Sequence, residues 1–169
     1  NYLDGATVVI PGKVEGTNFT SSLLVGHSTT GTLDAAQQNV GVGIGALNAI
    51  TSGDDNVAIG MDAGGSITES KKNTLIGYRA GDSITVNSAT GNTAVGYKSL
   101  EYIVTDGQNN CALGREAGLI VSSGEGNVLL GYGAGDNITS GSGNVVLGKA
   151  DVSSATADDQ LSISDGEDG

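Results

Sequence analysis

One phrase, Asn-x-x-(Ile/Val/Leu)-Gly, recurs along the chain and limits what it can fold into. It reads Asn56-Val57-Ala58-Ile59-Gly60, Asn73-Thr74-Leu75-Ile76-Gly77 and Asn92-Thr93-Ala94-Val95-Gly96. It continues as Asn110-Cys111-Ala112-Leu113-Gly114, Asn127-Val128-Leu129-Leu130-Gly131 and Asn144-Val145-Val146-Leu147-Gly148. Degenerate copies begin at Ser22 and Asn39, and Gln160-Leu161-Ser162-Ile163 is a fading last one. The copies start at residues 22, 39, 56, 73, 92, 110, 127, 144 and 160, in steps of 17, 17, 17, 19, 18, 17, 17 and 16. Such units bury their apolar faces only against their neighbours, so the repeat decides the architecture.

With the Asn as position 0, further columns align. Position 7 is Ala46, Ala63, Ala80, Ser99, Ala117 and Ala134, and position 8 alternates Leu47, Gly64, Gly81, Leu100, Gly118 and Gly135. Position 11 is Leu33, Ile50, Ile67, Ile84, Ile103, Val121 and Ile138. A period of 17 is too short for two helices and a turn. It suits one coil of a parallel β-solenoid, with a first strand at positions 1 to 3 and a second at 10 to 12, as in Ser66-Ile67-Thr68. Glycine at position 4 ends the first strand, because it tolerates φ > 0. The expected fold is an all-β parallel solenoid (β-roll or β-helix) of about eight or nine coils, on the order of 40 Å long.

The Asn column has a structural explanation. Asn39, Asn56, Asn73, Asn92, Asn110, Asn127 and Asn144, stacked at the coil spacing of ~4.8 Å, can bond side chain to side chain as a ladder. Strand alternation puts positions 1 and 3 on one face and position 2 on the other. Position 3 is always Ile, Val or Leu, which assigns it to the coil interior. Position 2 then faces outward, yet it holds Leu24, Gly41, Ala58, Leu75, Ala94, Ala112, Leu129 and Val146. An outer face without polar residues needs a cover. The expectation is a homotrimer with Leu24, Ala58, Leu75, Ala94, Ala112, Leu129 and Val146 between protomers.

Three segments follow. Residues 1–21 form an N-terminal cap or lead-in strand around Thr7-Val8-Val9-Ile10, residues 22–164 the solenoid, and residues 165–169 an acidic tail. The chain begins without Met and ends just after a strand-like copy, as if cut from a longer polypeptide. Seven Lys+Arg against 19 Asp+Glu give a formal charge of −12, which repels nucleic acid and anionic membrane. No apolar run reaches the roughly 18 residues of a membrane span, so membrane insertion is not expected.

Chemistry-bearing residues are few. The chain has one His, His27, and one Cys, Cys111, and no nucleophile-elbow phrase, so no enzyme is expected. Cys111 takes position 1, otherwise Val or Thr, and reads as a small buried hydrophobe. Paired carboxylates flanked by aromatics, as a polysaccharide-cleaving tailspike would need, do not stand out. Asp54-Asp55, Asp158-Asp159 and the tail offer hard oxygen ligands for Ca²⁺, but the glycine-rich Ca²⁺-binding nonapeptide is not repeated. Solvated loop charge is the simpler reading, and no cofactor is expected. Position 12 holds Thr51, Thr68, Thr85 and Thr139, interrupted by Val104 and Ser122, an imperfect version of an ice-binding threonine row. Position 5 reads His27, Ile44, Met61, Tyr78, Tyr97, Arg115, Tyr132 and Lys149. Tyr78, Tyr97 and Tyr132 are therefore candidates for glycan or receptor contact, or for packing between protomers or over a bend.

Phrases such as Asn73-Thr74-Leu75-Ile76-Gly77-Tyr78-Arg79-Ala80-Gly81 and Asn92-Thr93-Ala94-Val95-Gly96-Tyr97-Lys98-Ser99-Leu100 resemble repeats of bacteriophage tail-fibre and virion structural proteins, the cyanophage type above all. The resemblance covers roughly residues 20–165. A shorter relative of the phrase marks the heads of trimeric autotransporter adhesins, which are trimeric β-rolls. The resemblance implies an elongated, trimeric segment on a virion tail fibre or other extracellular surface, attaching to a host glycan or protein receptor. A bacterial surface adhesin or extracellular filament is the alternative.

Overall fold

The computed structural model describes residues 12–16, 18–26, 31–85 and 87–164. Thr7–Ile10, His27 and the tail 165–169 lie outside the described residues. The described chain has no helix and carries eleven strands in one sheet. β1 (Gly12–Gly16) pairs antiparallel with β2 (Phe19–Val25), and the two-residue β3 (Ala36–Gln37) pairs parallel with β2. From β2 the sheet runs in parallel through β4 (Val40–Val42), β5 (Val57–Ile59), β6 (Thr74–Ile76) and β7 (Thr93–Val95). It continues through β8 (Cys111–Leu113), β9 (Val128–Leu130), β10 (Val145–Leu147) and β11 (Leu161–Ile163). Equivalent positions pair throughout, as in Val57 with Thr74, Ala58 with Leu75 and Ile59 with Ile76. The fold is thus a β-solenoid of about eight turns built on a single parallel sheet.

The asparagines hold the coils in that register. Asn56 donates both its backbone N–H and its side-chain Nδ2 to Asn39 Oδ1, each at 3.1 Å, and Nδ2 also donates to Ser70 O at 2.9 Å. The same three bonds recur at Asn73, Asn92, Asn110, Asn127 and Asn144. At one end Ser22 Oγ accepts from the Asn39 backbone at 2.8 Å, and at the other Gln160 donates to Asn144 Oδ1. All seven amides are buried. Each satisfies its own donors and the following coil's, so burial leaves no amide unpaired.

The second expected strand is absent. Positions 5 to 10 form a wall of stacked turns, because positions 6 and 8 adopt left-handed backbone: Asp62 and Gly64 at φ 56° and 57°, Arg79 and Gly81 at 53° and 59°. Residues in that region cannot continue an extended run. The wall is still bonded coil to coil, with Asp62 N donating to Ile44 O at 2.8 Å and Ser66 N to Asp82 O at 2.9 Å. The isoleucines of position 11 point into the core from this wall and are fully buried.

The sheet's two faces are also reversed from expectation. Leu24, Ala58, Leu75, Ala94, Ala112, Leu129 and Val146 have no exposed surface in the single chain, so they fill the coil interior and cannot lie between protomers. Positions 1 and 3 face outward, half-buried or exposed, Cys111 among them. Alternation fixes which residues share a face, not which face is inside. Volume decides that. Across the narrow interior, position 2 meets position 8. A Cβ on Gly81 would stand 2.7 Å from Leu75 Cδ2, and one on Gly118 2.6 Å from Leu129 Cδ1. Where position 2 shrinks to Gly41 or Ala94, position 8 becomes Leu47 or Leu100, at φ 53° and 48°. Those leucines fill the space despite a left-handed backbone that costs roughly 1 kcal/mol. In the coils where both positions are small, Ala58 with Gly64 and Ala112 with Gly118, the leucines of the neighbouring coils, Leu47 and Leu75 or Leu100 and Leu129, crowd the glycine instead.

Replacing Asn92 with Ala deprives Asn110 N and Nδ2 of their buried acceptor and leaves Gly107 O without its donor. The expected loss is about 3 kcal/mol of unfolding free energy. Denaturant unfolding of Asn92→Ala beside the parent chain measures it.

Candidate functional site

The outward rows are built entirely of apolar residues, two threonines and the cysteine. Position 1 contributes Val40, Val57, Thr74, Thr93, Cys111, Val128 and Val145; position 3 contributes Val42, Ile59, Ile76, Val95, Leu113, Leu130 and Leu147. Ile59 is 40% and Leu113 52% exposed. No charge interrupts these rows.

At position 4 the glycines bend the chain off the sheet, with φ between 133° and 141° from Gly43 to Gly131. A Cβ on Gly60 would lie 2.5 Å from Gly77 O, so close stacking and backbone both require glycine there. Position 5 follows as a corner row. Tyr78 and Tyr97 stack with centroids 5.2 Å apart and planes 13° from parallel. The Arg115 guanidinium lies 5.3 Å from the Tyr97 centroid and 5.5 Å from that of Tyr132. The three tyrosines thus come together, through Arg115, as one ladder over four coils. Their stacking sets a limit on contact. Tyr97 is covered on one face by Tyr78 and on the other by Arg115, so no ligand can lie flat on it.

Behind the ladder, four charges cross-link two coils. Arg79 pairs with Asp82 at 2.8 Å and with Glu101 at 3.0 Å, and Lys98 reaches Glu101 at 3.2 Å. Glu101 is fully buried, and an acid there is sustained only by paired cations. Pairing with Asp82 raises Arg79 above its ordinary pKa, and Glu101 does the same for Lys98. Sequence columns did not single out Glu101; its signal was one acid in a coil carrying Lys98 three residues earlier.

The remaining candidates lie apart. Asp54 is engaged by Lys71 Nζ at 2.6 Å and by the Gln37 N–H at 3.0 Å, and Asp158 accepts from Ser142 N at 2.8 Å. No group of three His, Cys, Asp or Glu suited to a metal forms among the described residues. The hydroxyls of Thr51, Ser122 and Thr139 donate to carbonyls of the next coil, so they are spent on stacking rather than presented to ice. A shallow cleft at the far end is lined by Gly133, Asp136, Lys149, Ala150 and Asp151. No helix of the described residues is long and apolar enough to cross a membrane. Searches against protein-family models, curated proteins and solved structures found no match.

Burial raises the Asp136 carboxyl above its ordinary 3.8, and the hydrogen-bonded neighbour Asp151 and the charge of Glu116 add to the rise, opposed by Lys149. A raised acid favours the folded state only while it is protonated. Its contribution is fully present at low pH and disappears as pH rises through the folded pKa. Asp136→Asn should therefore raise the unfolding temperature at pH 7, and the gain should vanish below the ordinary carboxylate range. Thermal melts of both proteins across pH 3 to 8 check this.

Proposed function

We propose that this chain is a structural and adhesive segment of a virion attachment fibre, of the bacteriophage tail-fibre kind, working as a homotrimer at an extracellular surface. The observation that carries the reading is the outward sheet face. Nine parallel strands at ~4.8 Å spacing and three residues in width make a flat apolar strip of a few hundred Å². A contiguous apolar patch of that size is often a functional contact surface. Its regularity suits a partner of the same period, and three copies of this chain around a common axis supply one. The role is geometric: each interior strand edge is paired by the next coil, so the rod is stiff and its length is set by coil number.

Light scattering tests the assembly. Three times the 16.7 kDa chain mass supports the reading, and a monodisperse monomer overturns it. Two neighbouring substitutions then locate the seam. Leu113→Glu, on the outward row, should leave a folded chain of single mass by circular dichroism and scattering. Ala112→Glu, one residue away but buried in the coil, should abolish folding, because an unpaired carboxylate would enter the core.

A further inference from the structure

We propose that the Tyr78–Tyr97–Arg115–Tyr132 ladder is a binding strip for a linear anionic polysaccharide, one bearing carboxylate or sulfate groups. The inference rests on the adhesive reading above and assigns that adhesion a ligand class. Its premise is what the stacking leaves free. Both faces of Tyr97 are covered, and the Arg115 guanidinium lies between two rings. Outward, the ladder offers ring edges, three phenol hydroxyls and the guanidinium N–H edge. Ring edges carry the positive side of the aromatic quadrupole, and hydroxyls and guanidinium donate hydrogen bonds. The strip is therefore built to give hydrogen bonds to an anion.

The guanidinium edge is only lightly engaged. Arg115 Nη2 meets Glu116 Oε1 at 3.2 Å, a pair whose arginine side chain is 61% exposed. Such surface pairs contribute little, so a ligand anion can displace this one. Among the described residues no hydrogen bond is recorded for the hydroxyls of Tyr78, Tyr97 or Tyr132. Lys98 stands 5.8 Å over the Tyr97 ring, and Lys149 takes position 5 two coils beyond Arg115. Held between rings, Arg115 presents its fork with little further ordering on binding.

At the centre of the ladder, Tyr97 offers no open face to a neutral sugar or a nucleic-acid base that would bind it by stacking. The net charge of −12 opposes a polyanion at long range. Contact is consequently short-range, carried by charge-assisted hydrogen bonds at Arg115.

The test is isothermal titration of the full chain with dextran sulfate, alginate, neutral dextran and poly-dT. Dextran sulfate or alginate should bind, and the one that does separates sulfate from carboxylate recognition. Neutral dextran should not, and poly-dT, whose phosphates can reach Arg115 while its bases find no open face on Tyr97, should bind more weakly than the anionic sugar chain. R115Q should weaken binding by about tenfold or more, the scale of a lost charge-assisted hydrogen bond, with unchanged mass and a still cooperative melt, slightly lowered by the two cation–π contacts it removes. Absence of binding to both anionic chains overturns the proposal, as does equal binding of neutral dextran or poly-dT, or an unchanged R115Q. A change of mass in R115Q would reassign the ladder to assembly and overturn it too. If binding fails while the trimeric mass holds, the fibre reading survives as that of a spacer.

Discussion

A buried asparagine that bonds the asparagine of the next coil is the constraint on which this rod depends. The side-chain amide carries two donors and an acceptor with two lone pairs, and every copy uses all four within the stack. One donor goes to the preceding asparagine and the other to a carbonyl three residues before the next, such as Ala89 O for Asn73 and Gly107 O for Asn92. The amide thereby fixes coil spacing and the turn that closes its own coil. Length variation is confined elsewhere. The coil from Asn73 has two extra residues, yet Asn92 N still donates to Asn73 Oδ1 at 3.0 Å. The surplus falls between Ile84 and Ala89, ahead of the carbonyl that Asn73 Nδ2 holds.

Much of this could be seen in the residues themselves. The period, the parallel coils, the stacked amides and the inward isoleucines of position 11 all follow from columns of like residues. Inside and outside could not be read from alternation, because alternation is symmetric to exchange of the two faces. The sequence did hold a second signal. In four coils position 2 and position 8 vary in opposite senses, Gly41 with Leu47, Leu75 with Gly81, Ala94 with Leu100 and Leu129 with Gly135, and no coil carries leucine at both. Side chains that trade volume are in contact, which places position 2 inside. Position 3, uniformly large, shows no such exchange, since it lies on the outer face, half-buried or exposed, and meets nothing across the interior. The missing second strand was hidden differently. Charged residues such as Arg79 and Lys98 hold left-handed backbone at position 6, and nothing in their type announces it.

The corner row shows how a repeat turns one residue type into a collective property. A lone tyrosine on a surface offers two ring faces. Stacked at the coil rise, Tyr97 spends both of its faces, on Tyr78 and on Arg115, while Tyr78 and Tyr132 spend one each. Aromatic and cation–π contacts of this kind are worth about 0.5 to 1.5 kcal/mol each, so the row adds to coil cohesion. The buried Glu101 works in the same region by another route, tying Arg79 of one coil to Lys98 of the next.

Folding and assembly are separated in this design. The interior closes without a partner: position 2, position 8 and position 11 bury one another, and the amides are satisfied within one chain. The outward rows therefore contribute little to closing the coil, and their hydrophobicity needs another cause. Solvent alone would favour lysine, threonine and glutamate on such a face. Instead the valines, isoleucines and leucines persist through seven successive coils, while the acids collect on loops and turns. A surface that folding does not require and water does not favour is explained by contact. For a strip this long and this regular, a copy of the chain, the partner proposed above, would match it at every rung.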